Sequence, residues 1–348
     1  MMQHAEVDTV AQWCRGQLLS GPPATSPEQV ARQLLAVQAQ DPRGARLAVR
    51  ARTTGLVATD VDHALTEDRS LVVTWLNRGT LHLVCTEDLP LLHGLTTPQL
   101  RTGNVRRLAQ EGLSPEQAER GTQVVLEALD DGPKTRPELR ERLAAADIPV
   151  AGQALVHVLF RTTLLGHVIR GPLVGSEHAY VLVRDWLGAP IGPIADRDLA
   201  LAELARRYLV GHGPAGDRDL ARWVGISLGD ARRGLSGVRG LHERDDGRVA
   251  LSPPEDVPPP TPRLLGPFDP LLLGWVDRTP VVGDHGELVT MNGIFRAFAL
   301  VDGRAAAAWS LSRGISLEPF APLATETVAA LEVEADDVRR FLGSARYR

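Results

Sequence analysis

The sequence predicts an α+β chain in which three tandem helix-turn-helix units, each closed by a β-wing, are followed by a strand-rich C-terminal region. Three observations predict it. Helical periodicities punctuated by Gly and Pro recur in groups, each group ends in two extended runs around a turn, and the proline-rich stretch SPPEDVPPPTP (252–262) separates them from a tail of alternating pattern. The unit boundaries fall at 1–110, 111–194 and 195–252, with the connector and β-rich region at 253–348.

In the first unit Val10 to Leu19 reads as a helix, broken by Ser20-Gly-Pro-Pro-Ala-Thr-Ser. Ser26 then stands as an N-cap, with Pro27 at the first helical position and Glu28 in the first turn. Val30, Leu34 and Val37, at i, i+4 and i+7, make one buried face. That helix is expected to end near Gln40, because Asp41-Pro42 disfavours helical geometry at Asp41. Leu71 to Trp75 and Thr80 to Cys85 are extended runs flanking Asn77-Arg78-Gly79, a hairpin or wing.

The second unit repeats the order. Gln123 to Leu129, a helix opened by Thr135, Pro137 and Glu138, and Gly152 to Leu165 supply three helices; His167 to Arg170 and Ala179 to Arg184 supply the strands. In the third, Leu199 to Leu209 ends at Gly211-His-Gly-Pro, Asp217 is read as the cap of Leu220 to Trp223, and Ser227 opens Ala231 to Val238 with Asp230 in the capping-box position. Leu241 to Glu243 and Arg248 to Leu251 flank a tight Arg-Asp-Asp-Gly turn. Three helices and a hairpin is the winged-helix order. Beyond the connector, strands are expected at Leu271 to Val276, Pro280 to Val282, Gly293 to Val301 and Ala306 to Leu311, with Asp302-Gly303 as a hairpin turn. The acidic run Glu326 to Asp337 reads as a solvated final helix ending near Arg339 and Arg340.

With 348 residues and 43% hydrophobic content, the chain can bury substantial cores. The N-terminus has neither the basic-then-apolar pattern of a secretory signal nor an apolar run long enough to span a membrane, so a cytoplasmic location is expected. Cys14 and Cys85 lie in apolar stretches without Cys or His at ligand spacing and read as buried thiols, not as a disulfide or zinc site. A net charge of −5 excludes nucleic-acid binding through a general positive field. Since 1–110 and 195–250 are near neutral and 111–194 and 251–348 acidic, any DNA-binding surface must be local. All cations but Lys134 are arginines, which suit bidentate phosphate contacts; a GC-rich genome would give the same bias.

No phosphate-binding Gly-rich loop, His-Glu-x-x-His or Gly-x-Ser-x-Gly motif is present. Two polar elements remain, Gln38-Ala39-Gln40 and Arg78-Gly79-Thr80-Leu81-His82. On a continuing helix Gln38 and Gln40 would point roughly 200° apart, so they converge only if the helix stops there. They are either solvated helix-end residues or a pair converging on a ligand or water. Thr80 and His82 alternate with Leu81 and share one strand face, which either packs inward or meets substrate.

Taken together, RQLLAVQAQDP, TWLNRGTLHLV, RYLVGHGPAGDRDLARWVG, FDPLLLGWVDR and VDGRAAAAW resemble the AlkZ/YcaQ-like family of winged-helix DNA glycosylases over Val10 to Trp309. The Gln-x-Gln motif, here Gln38 and Gln40, is similar to the AlkZ branch; the YcaQ branch is expected to carry aspartate at the second position. One departure is the alanine run Ala305 to Ala308, where the family pattern has glycine before the tryptophan. The resemblance implies three winged-helix units forming a concave DNA-binding scaffold, with Gln38 and Gln40 catalytic. It also implies a monofunctional glycosylase, needing no metal or cofactor, that excises bulky or cross-linked N7-alkylguanine from double-stranded DNA. In some members the activity is self-resistance to a DNA-alkylating natural product.

Around that motif Asp41 is an adjacent carboxylate that either assists or terminates the helix. Phosphate contacts are expected from Arg43, Arg46 and Arg50 and from Arg232 and Arg233, and substrate contacts from Arg78, Thr80 and His82. Arg278 and His285, around an expected hairpin from Val281 to Met291, are family-type groove contacts. Two non-enzymatic readings compete: a transcriptional regulator that binds DNA without catalysis, and an adaptor recruiting a protein through its acidic end. A regulator would dimerise on a palindromic site, whereas three units in one chain can embrace DNA as a monomer, which favours the glycosylase.

Overall fold

The computed structural model describes residues 2–175, 177–253, 257–290, 292–311 and 314–343. They form two compact units, Met1–Val61 with Asp198–Arg348, and Asp62–Arg197. No helix among the described residues is long and apolar enough to cross a membrane.

In the first of these units the helices Met2–Gly16 and Pro27–Leu34 appear where the turn formers separate them, and Ser26 Oγ accepts from Gln29 N–H at 3.3 Å. The second helix stops at Leu34, not near Gln40, because Leu35 takes a left-handed backbone (φ +63) and Val37–Gln38 is extended. The physical reason is the run Leu34-Leu35-Ala36-Val37, all at most 4% exposed. Four consecutive apolar residues overfill one helix stripe, whereas an extended segment buries side chains on both sides. Pro42, read from sequence as a breaker, starts a further helix, Pro42–Arg50, with proline in the first turn and Asp41 as N-cap.

Arg197–His212, Asp217–Val224 and Leu228–Gly237 follow, closed by the short pair His242–Glu243 and Val249–Ala250. The cap of the middle helix is Gly216 rather than Asp217; Asp219 Oδ2 accepts from Gly216 N–H at 2.8 Å, so the acidic residue that matters stands at the third helical position. Ser227 Oγ accepts from Asp230 N–H at 3.0 Å, as its position predicts.

The C-terminal strands form an antiparallel sheet in the order Ser316–Pro319, Arg304–Ser310, Phe298–Val301, Arg263–Leu265. Asp302 (φ +49) and Gly303 (φ +78) make its expected tight turn. The alanine run lies in the strand Arg304–Ser310, with a bulge between Ala305 and Ala307, and Trp309 Nε1 donates to Leu265 O at 2.8 Å. The strands expected at Leu271 to Val276 and Pro280 to Val282 are instead a 3₁₀ turn, Pro270–Leu272, and a short helix, Thr279–Val282. Asp269 Oδ1 accepts from Leu271 N–H (3.0 Å) and Asp277 Oδ1 from Thr279 N–H (2.9 Å), so local side-chain bonds win over β-propensity. The expected hairpin Val281 to Met291 is likewise a 3₁₀ turn, Gly286–Leu288, and an isolated bridge Val289↔Phe295; Met291 itself lies outside the described residues. The final helix, Thr325–Leu342, is amphipathic rather than merely solvated, with Leu331, Ala335, Val338, Phe341 and Leu342 buried.

In Asp62–Arg197 the antiparallel order is Thr80–Cys85, Leu71–Leu76, Val168–Val174, Glu177–Leu182, so two hairpins distant in sequence are joined where Val73 pairs with Arg170. Pro115–Leu129 and Arg136–Ala145 begin in full capping boxes, Ser114 with Gln117 and Thr135 with Glu138. With Ala154–Leu164 these helices build a core around Trp75, Val125, Leu143, Val158 and Tyr180. Cys14 and Cys85 are buried thiols outside any disulfide, and burial pushes the Cys14 thiol up to about 12.

Candidate active-site segments

Gln38 ends the two-residue strand Val37–Gln38, and Gln40 stands two residues on, before the Asp41 cap. Gln38 is thus extended and Gln40 lies in the bend that leads to the cap, where the sequence suggested a frayed helix end. Gln38 is 6% exposed while Gln40 is exposed, so one amide is held in the protein and the other reaches its surface.

Both flanks are anchored. Upstream, Leu35 to Val37 are buried. Downstream, Asp41 Oδ1 accepts from the backbone N–H groups of Arg43 (2.9 Å) and Gly44 (3.1 Å). A Cβ at Gly44 would fall 2.5 Å from Pro267 O, so only glycine lets this helix seat against the chain after Arg263–Leu265. Asp41 thus starts the following helix, and the terminator role expected for it is a capping role.

The arginines after the motif divide. Arg43 is half-buried, with no ion pair among the described residues. Arg46 and Arg50 are each 2% exposed and are corrections to the phosphate expectation. Arg46 Nη1 donates to Pro42 O at 2.8 Å. Arg50 donates to Glu334 Oε2 (2.6 Å), Asp337 Oδ2 (3.2 Å) and Leu264 O (2.9 Å). Every residue from Gly44 to Arg50 is buried, so these guanidinium groups are compensated inside the protein and Arg50 fixes the final helix. Glu334 and Asp337 therefore do more than keep that helix wet.

The Leu71–Cys85 hairpin behaves as its alternation predicts. Thr74 lies opposite His82 and Leu76 opposite Thr80, so these four side chains share one face, while Trp75 and Leu81 belong to the core on the other. His82 is 4% exposed, and its Nδ1 lies 2.9 Å from Thr80 O. A carbonyl only accepts, so Nδ1 carries the proton and Nε2 is an acceptor. Burial, aided by the Arg78 charge, pushes the imidazole down to about 3, so it is neutral at physiological pH. Arg78 is exposed at the turn. Sequence reasoning missed Asn77, which is 0% exposed; its φ of +44 and its place before Arg78-Gly79 read only as a turn signal.

Arg232 and Arg233 are exposed and pair with Asp217 (2.7 Å) and Asp198 (3.1 Å), surface bridges that phosphates can outcompete. Arg278 and His285 are not on a hairpin. Arg278 Nε donates to Leu272 O at 2.6 Å with its guanidinium 5.2 Å from the Phe295 ring, and burial lowers its pKa. His285 stacks on Phe320 at 3.9 Å, with Nδ1 3.4 Å from Glu287 Oε1. Among the described residues, three ligand-type atoms come within 4.8 Å of one another only at Cys85, Glu87 and Asp88, neighbours around one 3₁₀ turn.

A family model described as DNA glycosylase AlkZ-like matches residues 31–341, a span that includes both glutamines. A Streptomyces sahachiroi protein named interstrand DNA cross-link repair glycosylase is 29% identical over 355 residues, 93% of each chain. The solved structure of Streptomyces sahachiroi DNA glycosylase AlkZ matches with a TM-score of 0.79 at 27% identity, covering 98% of this chain and 97% of that one.

Proposed function

This chain belongs to the AlkZ-like DNA glycosylase family, and we propose that it hydrolyses the N-glycosidic bond of N7-alkylguanine, bulky or cross-linked, in double-stranded DNA. The observation that carries the reading is the Gln38-Ala39-Gln40 segment, non-helical, anchored on both flanks, with one amide buried and one exposed. Alkylation at N7 places a formal positive charge on guanine, so the C1′–N9 bond breaks to release a neutral base and leaves an oxocarbenium-like sugar. Little general-base strength is needed. The amide oxygens of Gln38 and Gln40 accept from water, aim its lone pair at C1′ and set carbonyl dipoles beside the developing cation. Water's oxygen bonds to C1′ and its surplus proton passes to solvent. Neutral amides do this without any shifted pKa.

Asp41, two of whose contacts are to backbone N–H groups, positions the segment rather than acting as the base. In this reading winged-helix units grip the duplex as a monomer, Arg43, Arg78, Arg232 and Arg233 are the arginines expected to meet phosphate, and self-resistance to an alkylating natural product is the biological setting. The alternative, a regulator that binds undamaged operator DNA, differs in predicting a dimer and no base release. The test is release of 7-methylguanine, and of a bulky N7 adduct, from duplex by wild type, Gln38→Ala, Gln40→Ala and Asp41→Asn. Each glutamine variant should lose on the order of a hundredfold in single-turnover rate with the fold intact, as for loss of one preorganised dipole. Asp41→Asn, which keeps a capping side chain, should retain activity. Equal rates for wild type and both glutamine variants would remove the assignment.

A further inference from the structure

On the Leu71–Cys85 hairpin the structure leaves a set of polar atoms buried without partners: Thr74 Oγ1, Asn77 Oδ1, Asn77 Nδ2 and Thr80 Oγ1. Other buried atoms without partners occur in the chain, among them Ser20 Oγ, Arg50 Nε and His212 Nε2, but these four fall within one hairpin; the Asn77 N–H donates to Thr96 Oγ1 at 3.0 Å. An unmet buried polar group costs about 1–3 kcal/mol, so four such atoms on one small surface are expensive unless something from outside the chain completes them. They are grouped by the fold. Thr74 and Thr80 share the strand face that also carries His82, and Asn77 follows directly in the turn between the strands.

The donor and acceptor inventory narrows what fits. Asn77 offers an acceptor and a two-proton donor side by side, the threonine hydroxyls can do either, and His82 presents Nε2 as an acceptor. Thr74, Asn77, Thr80 and His82 are all neutral at physiological pH, which suits a flat, uncharged or singly cationic heterocycle better than a phosphate. A purine with its N7 blocked by alkylation still displays O6 and N1–H, an acceptor beside a donor, and that edge complements one carboxamide.

We propose that Asn77, with Thr74, Thr80 and His82, forms a binding site for the hydrogen-bonding edge of a purine base. The glycosylase reading supplies the identity of that base as N7-alkylguanine; the site itself rests on the unpartnered atoms. Asn77 is then a base-binding residue, and its left-handed backbone lets the turn present the amide inward.

The competing explanation is that asparagine stands here only because it tolerates positive φ. Asn77→Gly separates the two, since glycine keeps the turn and removes the amide, and Thr80→Val removes a hydroxyl at constant shape. Free 7-methylguanine titrated calorimetrically into the full-length protein should bind. 1,3,7-Trimethylxanthine, which has no N–H donor, should not. Both variants should keep a wild-type melting temperature within a few degrees while losing at least about tenfold in affinity for 7-methylguanine and in its excision from duplex. Wild-type binding and excision in Asn77→Gly would overturn the site and leave the glycosylase reading standing. Asn77-dependent binding of the free base by a wild type that excises nothing would sustain the site and end that reading. A wild type that neither binds nor excises would end both.

Discussion

Arg52 and Asn77 are both buried polar residues, 1% and 0% exposed, and their surroundings treat them oppositely. The Arg52 guanidinium donates to Asp269 Oδ1 (2.8 Å) and Oδ2 (2.9 Å), Gln17 O (2.8 Å), Gln17 Oε1 (3.1 Å) and Ala48 O (2.9 Å), which uses all five N–H groups. Asp269 in turn caps the following 3₁₀ turn. Nearby, Arg50 is held by Glu334 and Asp337. The Asn77 amide has no such partner. A complete buried polar network helps to specify the fold, whereas an unmet buried amide carries a desolvation cost that an outside partner can relieve. At equal burial, Arg52 is fully paired within the protein and the Asn77 amide is not, which is the difference the proposed base site rests on.

The largest effect that tests this contrast is removal of Asp269. Asp269→Ala leaves Arg52 charged and unpaired in the interior and should cost about 3–5 kcal/mol, measured by urea unfolding; a loss under about 1 kcal/mol would show that the pair does not hold the fold. An intermediate effect comes from pH. Burial holds His82 and His212 down to about 3, while in the unfolded chain each titrates near the ordinary 6.5. The unfolded state therefore binds more protons over that interval. Stability from these residues is fully present above pH 6.5 and should fall by about 1.4 kcal/mol per pH unit for each histidine as pH drops toward 3. His82→Gln should flatten that acid limb in thermal melts, and an unchanged limb would contradict the buried neutral imidazole. The smallest effect is at Thr74, whose hydroxyl is buried with no partner. Thr74→Val should leave stability unchanged or raise it by up to about 1 kcal/mol; a marked loss would mean that the hydroxyl has a structural partner after all.

Much of the local architecture was legible because local rules decide it. Ser26 and Thr135 cap their helices through side chains that reach three residues along, and the Asp302-Gly303 turn needs only two residues that tolerate positive φ. The Leu71–Cys85 hairpin and the shared face of Thr80 and His82 follow from a period of two. The misreadings lie where tertiary packing outbids local preference. Leu34 to Val37 continue a helical periodicity, yet all four are buried and the backbone unwinds to allow it. Leu271 to Val276 carry β-formers, yet aspartate side chains bond the backbone into turns.

At the site the sequence marked which residues carry chemistry and the structure decided how each is used. Gln38 and Gln40 stand out in the chain as paired neutral amides beside a helix-breaking Asp-Pro, a matter of residue type and spacing alone. That Gln38 lies on a short strand rather than a helix end, that Arg46 and Arg50 are interior, and that Asn77 is buried with its amide unmet depended on burial. Burial is a sum over contacts between residues far apart in the chain, such as Arg50 with Glu334 and Arg52 with Asp269. An arginine's chemistry is written in its own side chain; whether it faces phosphate or carboxylate is set by which distant segment folds against it.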